Sequence, residues 1–192
     1  MTHEILLIDN YDSFTYNLVH MLRAVGGVNV HVKRNDQLTL ADVEQFKKIV
    51  LSPGPGIPME AGLMPEVVRH FGATKTIFGV CLGHQCIGEI YGAKLRNIAS
   101  PVHGKATPIN RFFKDDPILG ALPERFDVGR YHSWVVDKED FPINQLEITA
   151  EDDSGQIMAL RHREHRIYGV QFHPESILTP LGAQIIERIV AL

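Results

Sequence analysis

In the first half of the chain, short unbroken apolar runs alternate with stretches in which apolar residues recur every three or four positions. The runs are typical of buried parallel strands, and the recurrence is typical of helices. Four strands are predicted, at residues 4–8, 28–32, 48–51 and 76–80. Four helices are predicted around them: one that carries Leu18, Leu22 and Val25 and stops at Gly26-Gly27, and others at residues 41–46, 65–71 and 82–91. Asp12 and Ser13 are candidate N-caps of the first helix.

The second half of the chain has mainly short β-type segments, followed by one helix. The segments are predicted at residues 126–131, 134–137, 147–150, 156–161 and 167–172, with a turn at 152–155. Thr179-Pro180 predicts the start of the last helix, with proline at its first position. The apolar face of that helix comprises Ile185, Ile186, Ile189 and Val190. The whole pattern predicts one α/β domain over residues 1–192, with an open, mostly parallel sheet, helices on both faces and a β-rich C-terminal half.

Composition and charge exclude several classes of protein. The 192 residues are 44% hydrophobic and 22% charged, which is ordinary for a globular protein and excludes a disordered chain. The net charge of -4, without a basic run, argues against nucleic acid as the main partner. Two cysteines five positions apart do not suit a disulfide framework or a thiolate zinc site. No apolar run approaches the ~20 residues of a membrane span, and the amino terminus resembles a strand and not a signal peptide, so a cytoplasmic location is expected.

The candidate nucleophile is Cys81, which lies where a predicted strand meets a predicted helix. Gly79 and Gly83 flank it in the spacing G-x-C-x-G, the cysteine form of a nucleophile elbow. A sharp turn brings the two flanking positions close together, and a Cβ on either would clash. The helix amino terminus favours a thiolate and leaves the amide of Leu82 available for an oxyanion. The alternative is a buried core cysteine between packing glycines.

Two further segments follow predicted strands. The loop at residues 52–58 contains three prolines and two glycines, which suits a rigid cradle for an anion, although a tight connection without a ligand has the same composition. His173 and Glu175 are separated by one proline, so the carboxylate can reach one imidazole nitrogen and leave the other for a thiol. A salt bridge at a strand end is the alternative. Because ligands bind at the carboxyl ends of parallel strands, the three segments together favour a catalytic site.

These residues resemble a known family, the class I (triad) glutamine amidotransferases. The chain also resembles more narrowly the glutaminase subunits of anthranilate synthase and aminodeoxychorismate synthase. The resemblance extends over nearly the whole chain and implies a flavodoxin-like three-layer fold. It rests on the segments GVCLGHQ at 79–85, QFHPES at 171–176, DNYDSFTYNL at 9–18, SPGPG at 52–56, HGK at 103–105 and RYHS at 130–133.

The resemblance implies a role for each of nine residues. Cys81 would attack the side-chain amide of L-glutamine, His173 would act as general base and then as general acid, and Glu175 would orient His173. The other implied contacts are an oxyanion hole from the amides of Gly56 and Leu82, and substrate binding by Gln85 and the backbones of Gly54, Ser133 and Trp134. Trp134 stands where the family often has a smaller apolar residue, which matters little if only its backbone is used. No cofactor or metal is expected.

The resemblance also implies a partner, a separate chorismate-binding synthase subunit that receives ammonia. We expect the loops at 9–15 and 53–58 and the segment around Ser133 to lie near that contact. The anthranilate (tryptophan) branch is the favoured pathway, and the aminodeoxychorismate (folate) branch, or both, is the alternative. Neither nucleic acid nor a membrane is expected as a partner.

Other interpretations of the residues remain open at this point. The same elbow would serve a stand-alone cysteine hydrolase, and the same fold would serve a non-catalytic binding module. A metal site built from Cys81, His84, Cys86 and His70 suits no common zinc spacing, and Cys86 is expected to pack in the helix core instead. His132 is either structural or a substrate contact. The charged run at 161–166 is expected to form a solvated hairpin tip.

Overall fold

The computed structural model describes residues 3–192. In that part of the chain the strands are β1 (His3–Asp9), β2 (Val28–Arg34), β3 (Lys48–Leu51), β4 (Thr76–Val80), β5 (Leu95–Arg111), β6 (Arg125–Val136), β7 (Leu146–Asp152), β8 (Ile157–His162) and β9 (Ile167–Val170). The helices are α1 (Thr15–Ala24), α2 (Leu40–Glu44), α3 (Met64–Phe71), α4 (Leu82–Ile90) and α5 (Gly182–Ala191), with a 3₁₀ turn at Pro58–Glu60. Each strand and helix that the first half predicts is present.

The nine strands form one sheet in the order β2-β1-β3-β4-β9-β8-β7-β5-β6. Strands β2, β1, β3, β4 and β9 pair in parallel, as expected for strands connected through helices. The remaining pairs, from β9 to β6, are antiparallel. The predicted α/β sheet is confirmed, and it is mixed, with its antiparallel part built by the C-terminal half.

Two hydrophobic cores lie on opposite faces of the sheet, because side chains alternate along each strand. On β1, Ile5 and Leu7 pack on one face with α1 and α5, and Leu6 and Ile8 pack on the other with α2, α3 and α4. The sheet is therefore the middle of three layers. Cys86 is buried in the second core, as predicted.

Two predicted helix starts are wrong. The residue before α1 is Phe14, and no side chain caps the helix; Asp12 instead accepts a hydrogen bond from the Phe14 amide at 2.7 Å, within the preceding turn, and Ser13 does not cap either. Helix α5 begins at Gly182, and not at Pro180. The hydroxyl of Thr179 is occupied by contacts to two other segments, so residues 179–181 form a turn that leads into the helix.

Strands β6 and β7 are longer than the sequence pattern predicts. β5 is a 17-residue strand that the pattern does not predict, and β6 is one continuous strand in place of two predicted segments. Only two side chains of β5 are buried, and the β5–β6 register shifts twice, so the strand has no visible alternation of polar and apolar residues. β9 ends at Val170, two residues before the predicted end. The hairpin predicted at 161–166 is confirmed by the antiparallel pairing of β8 and β9.

Candidate active site

Cys81 occupies a strained turn between β4 and α4. Its φ of 51° and ψ of -98° are unusual for a residue with a side chain. A Cβ on Gly79 would lie 2.4 Å from the carbonyl carbon of Gly83, and a Cβ on Gly83 would lie 2.6 Å from the Cβ of Leu51. The predicted steric need for glycine on both sides of the turn is confirmed. Leu82 opens α4, so its amide belongs to the first turn, where N–H groups have no partner within the helix.

His173 lies on the segment that leaves β9, with Glu175 beside it. The Nδ1 of His173 donates to Oε1 of Glu175 at 2.7 Å, and both side chains are buried. Nε2 has no hydrogen-bond partner among residues 3–192. Burial alone would lower the pKa of His173, but the nearby sulfur of Cys81 and the carboxylate of Glu175 on Nδ1 raise it to about 10. The structure therefore brings the three predicted triad side chains together and favours a protonated imidazole.

Two aromatic rings enclose His173. The ring centroids of Phe14 and Tyr131 lie 5.4 Å and 5.0 Å from that of His173, both edge-on, and 5.0 Å from each other. Such contacts fix the imidazole plane and exclude water from one side of it. Neither ring was a predicted site residue. Both stand inside the segments that carry the resemblance, but nothing in their spacing indicates contact with His173.

The loop after β3 is held against the elbow by Asn10. The amide and the side chain of Asn10 each donate to Ser52, both at 2.9 Å. A Cβ on Gly54 would meet the Cβ of Asn10 at 2.6 Å and Cδ2 of Leu82 at 2.7 Å, so only glycine fits. Gly56 has a positive φ of 74°. The loop is therefore rigid and close to Leu82, as a second source of backbone amides requires.

A cavity of about 240 Å³ opens beside Cys81. It is smaller than the ~300–1,000 Å³ of sites for drug-sized ligands, which suits a small molecule. Its lining includes Gly54, Gly56, Gln85, Ser133 and Trp134, together with Pro55, His103, Tyr131 and His132. All the predicted substrate-binding residues thus line one cavity with the nucleophile candidate. His173 is not in that lining, but its ring packs against Tyr131, which is.

Comparison with known proteins agrees with this geometry. The protein-family model described as glutamine amidotransferase class-I matches residues 6–191. The chain belongs to this family. The amidotransferase is 44% identical over 196 residues to the chloroplastic anthranilate synthase beta subunit 2 of Oryza sativa subsp. japonica, covering 100% of this chain and 71% of that protein. It is 46% identical over 184 residues to aminodeoxychorismate synthase component 2 of Escherichia coli K12, covering 95% and 96%.

The fold of the amidotransferase also matches a solved structure. A protein from Thermoplasma acidophilum, described as a candidate GMP synthase subunit, superposes with a TM-score of 0.88 at 24% identity, covering 100% of this chain and 94% of the other. The predicted family, enzyme class and α/β fold are confirmed. Within residues 3–192, no group of three or more His, Cys, Asp or Glu side chains is arranged to hold a metal ion. In the same part of the chain, no helix has the length and apolar character to cross a membrane.

A buried ion pair in this amidotransferase supports the cavity wall at Trp134. Arg130 donates to Asp152 at 2.6 Å and to Nε2 of His132 at 3.1 Å, and Nδ1 of His132 lies 3.1 Å from the Trp134 carbonyl oxygen. Burial, with the charge of Arg130, lowers the pKa of His132 to about 3. His132 is therefore neutral, accepts on Nε2 and donates from Nδ1. The sequence left the role of His132 open and did not indicate that Arg130 or Asp152 supports the site.

Proposed function

We propose that the chain is the glutaminase subunit of a chorismate-utilising synthase and hydrolyses L-glutamine through a thioester on Cys81. The single observation that carries the proposal is the convergence of the strained Cys81 turn, the buried His173–Glu175 pair and one small cavity. A cysteine at a helix amino terminus beside an imidazole is activated as a nucleophile. The identity to an anthranilate synthase beta subunit and to an aminodeoxychorismate synthase component 2, over almost the whole chain, supports it.

The proposed reaction has two steps. In the resting site the thiol proton of Cys81 is already on His173, and the thiolate sulfur forms a bond to the side-chain carbonyl carbon of glutamine. His173 then gives that proton to the leaving nitrogen, the C–N bond breaks, and ammonia departs from a thioester. Water next attacks the thioester with loss of a proton to His173, and the C–S bond breaks to release the thiolate beside protonated His173. Glutamate leaves as its new carboxyl group loses its remaining proton to solvent. Glu175 keeps Nδ1 occupied, so Nε2 is the nitrogen that exchanges protons.

Backbone amides would carry the negative charge that develops on the carbonyl oxygen. The amides of Leu82 and Gly56 are the proposed donors, because Leu82 opens a helix and the Gly56 loop packs against it. Loss of one such donor typically costs about 2.7–4 kcal/mol of transition-state stabilisation. Gln85, Gly54, Ser133 and Trp134 are the proposed contacts to the rest of the glutamine molecule.

Replacement of the nucleophile tests the proposal directly. We expect Cys81→Ser to abolish glutamine hydrolysis and to leave the thermal unfolding transition close to that of the wild type. Glutamate production is the activity measured, and circular dichroism reports the fold. Substantial glutamine-dependent turnover by Cys81→Ser would mean that another group attacks the amide.

The partner and pathway follow from the same proposal. Ammonia must reach an acceptor before it is protonated in bulk water, so a chorismate-binding synthase subunit would dock over the edge that holds Cys81. The identities to the rice anthranilate synthase protein and to the bacterial aminodeoxychorismate synthase component are nearly equal, so both branches are supported. We propose the tryptophan branch first, the folate branch as the alternative, and the cytoplasm as the location. Reconstitution with each type of synthase subunit, measuring glutamine-dependent product, distinguishes the branches.

A further inference from the structure

Gln171 is a fully buried polar residue beside the candidate nucleophile, outside the predicted triad. It follows β9, and its backbone amide donates to the carbonyl of Met158 on β8 at 2.9 Å. Its side-chain Nε2 lies 3.5 Å from Sγ of Cys81, within the distance for a hydrogen bond to sulfur. Buried polar groups are nearly always hydrogen-bonded, so the contacts of the other end of this amide show which of its atoms faces the sulfur.

The orientation of the Gln171 amide is determined by its neighbours. Nε2 of Gln85 donates to the carbonyl oxygen of Trp134 at 2.8 Å, and because a carbonyl only accepts, the nitrogen of Gln85 must be on that side. The same nitrogen donates to Oε1 of Gln171 at 3.1 Å. The oxygen of Gln171 is thus held toward Gln85, and its NH₂ group faces Cys81.

We propose that Gln171 is a further catalytic residue, which donates a hydrogen bond to the thiolate of Cys81. The donor stabilises the negative sulfur before attack and again when the thioester releases it. Its side chain is positioned by Gln85 and the Trp134 carbonyl, so the cavity wall and the nucleophile are connected through one chain of hydrogen bonds. The inference rests on the proposed function, since it takes Cys81 as the nucleophile.

The test is the pH dependence of alkylation of Cys81 by iodoacetamide. The chain has only two cysteines, and burial raises the pKa of Cys86, so fast alkylation reports on Cys81. Gln171→Met keeps the length of the side chain and removes the donor. We expect the half-maximal pH of its alkylation profile to rise by about one unit, which is a tenfold change in the equilibrium between thiol and thiolate. We also expect kcat for glutamine to fall about tenfold, with a change in KM of less than about threefold.

Two other variants keep the test decisive. Gln171→Asn retains an amide but is one methylene too short to reach the sulfur, so it should shift the profile in the same direction even if the Met variant does not fold. Gln184→Met, on the exposed side of α5, is the matched control and should alkylate as the wild type. An unshifted alkylation profile in a folded Gln171 variant would overturn the inference. Iodoacetamide needs no glutaminase activity, so that result would leave the proposed function untouched. An active Cys81→Ser variant would instead refute the proposed function and, with it, the catalytic role of Gln171.

Discussion

At the residue scale, three buried histidines differ in protonation because their neighbours differ. Burial lowers the pKa of His84 to about 4, and burial with the charge of Arg130 lowers that of His132 to about 3. Burial acts on His173 in the same direction, but Cys81 and Glu175 outweigh it and raise the pKa to about 10. At neutral pH two of these imidazoles are therefore neutral and one is charged, although all three are sealed from solvent.

The lowered pKa of His84 predicts that the protein loses stability in acid. Its folded pKa lies below the unfolded value of ~6.5, so the unfolded chain binds more protons, and the free energy of unfolding falls as pH drops from about 6.5 toward 4. Neither ring nitrogen of His84 has a hydrogen-bond partner among residues 3–192. We expect His84→Leu to reduce the loss of stability between pH 7 and pH 5 by about 2 kcal/mol, measured by urea unfolding at both values.

A control variant and the opposite pH dependence of His173 separate the effect of His84 on stability from that of other histidines. His70→Leu removes an exposed imidazole from α3 and should leave the pH dependence as in the wild type. His173 has the opposite sign: its raised pKa gives stability that is complete below about pH 6.5 and is lost as pH rises toward 10, outside the window measured. Equal pH dependence in His84→Leu and the wild type would contradict the assignment of a neutral, buried His84.

At the element scale, the hydroxyl of Thr179 helps to hold the segment after β9 against β6. Oγ1 of Thr179 donates to the carbonyl of His173 at 2.6 Å and accepts from the amide of Gly129 at 2.9 Å. The amide of His173 also donates to the Gly129 carbonyl at 2.9 Å. His173 therefore depends for its position on a residue six positions away and on a strand of the antiparallel half of the sheet.

Removal of this hydroxyl should affect both stability and activity. Thr179→Val keeps the shape of the side chain and leaves two buried backbone groups without their partner, so we expect a loss of about 1–3 kcal/mol in the free energy of unfolding. Glutamine turnover should fall with it, because His173 loses an anchor. Thr179→Ser retains the hydroxyl and should recover most of both. Identical turnover in the Val variant and the wild type would mean that Thr179 does not position His173.

The elements around the site were predictable where local physics decides them. An apolar strand, a glycine-flanked cysteine and a helix pattern together specify the turn at Cys81, since each follows from sequence neighbours. The same holds for the segment that carries His173 and Glu175, which are two positions apart. The exact helix starts were not predictable, because Thr179 is engaged by remote backbone and not by its own helix.

Contacts between distant segments account for the site residues that were missed. Gln171 reaches Cys81, and Arg130 reaches Asp152, from many positions away along the chain, so no short spacing indicates these contacts. β5 was missed for a related reason, because most of its side chains are exposed and its pairing with β6 shifts register. The pattern of polar and apolar residues indicates which side chains are buried. These features depend instead on hydrogen bonds between distant parts of the chain.

At the scale of the whole molecule, the parallel and antiparallel halves of the sheet meet at the cavity. The parallel strands supply Cys81 and the Gly54–Gly56 loop, and β6 supplies Ser133 and Trp134. Both cores pack against the same sheet, which supports a single domain over residues 1–192; this stays a prediction. A larger cavity of about 580 Å³ lies at the opposite edge, lined by Lys47, Lys48, Lys75 and Arg166 among others, so size alone would misplace the site.

Apolar side chains are also exposed near the site, at the carboxyl ends of the parallel strands. A docking surface for the proposed synthase subunit would have this character. Ile177 is 96% exposed two residues after Glu175, Met59 is 59% exposed beside the Gly54–Gly56 loop, and Tyr11 is 48% exposed next to Asn10. Exposed apolar residues grouped on one face indicate an interaction surface. All three follow carboxyl ends of strands that supply the site, and Tyr11 and its neighbours belong to a loop that the sequence assigned to the partner contact.

Ile177 provides the sharpest test of this surface, because its side chain contributes almost nothing to the fold of the isolated protein. We expect Ile177→Asp to weaken binding of the synthase subunit at least tenfold, since a buried carboxylate at an interface would have no partner. Isothermal titration with the synthase subunit gives the affinity, and basal glutaminase activity reports that the site is intact. Ile143→Asp is the matched control: Ile143 is 66% exposed, its carbonyl accepts from Arg163 near the β8–β9 hairpin, and its replacement should leave the affinity unchanged. If the two variants bound the synthase subunit with equal affinity, the subunit would not dock at the end of the sheet that holds Cys81. Ammonia would then have to cross bulk water to reach its acceptor.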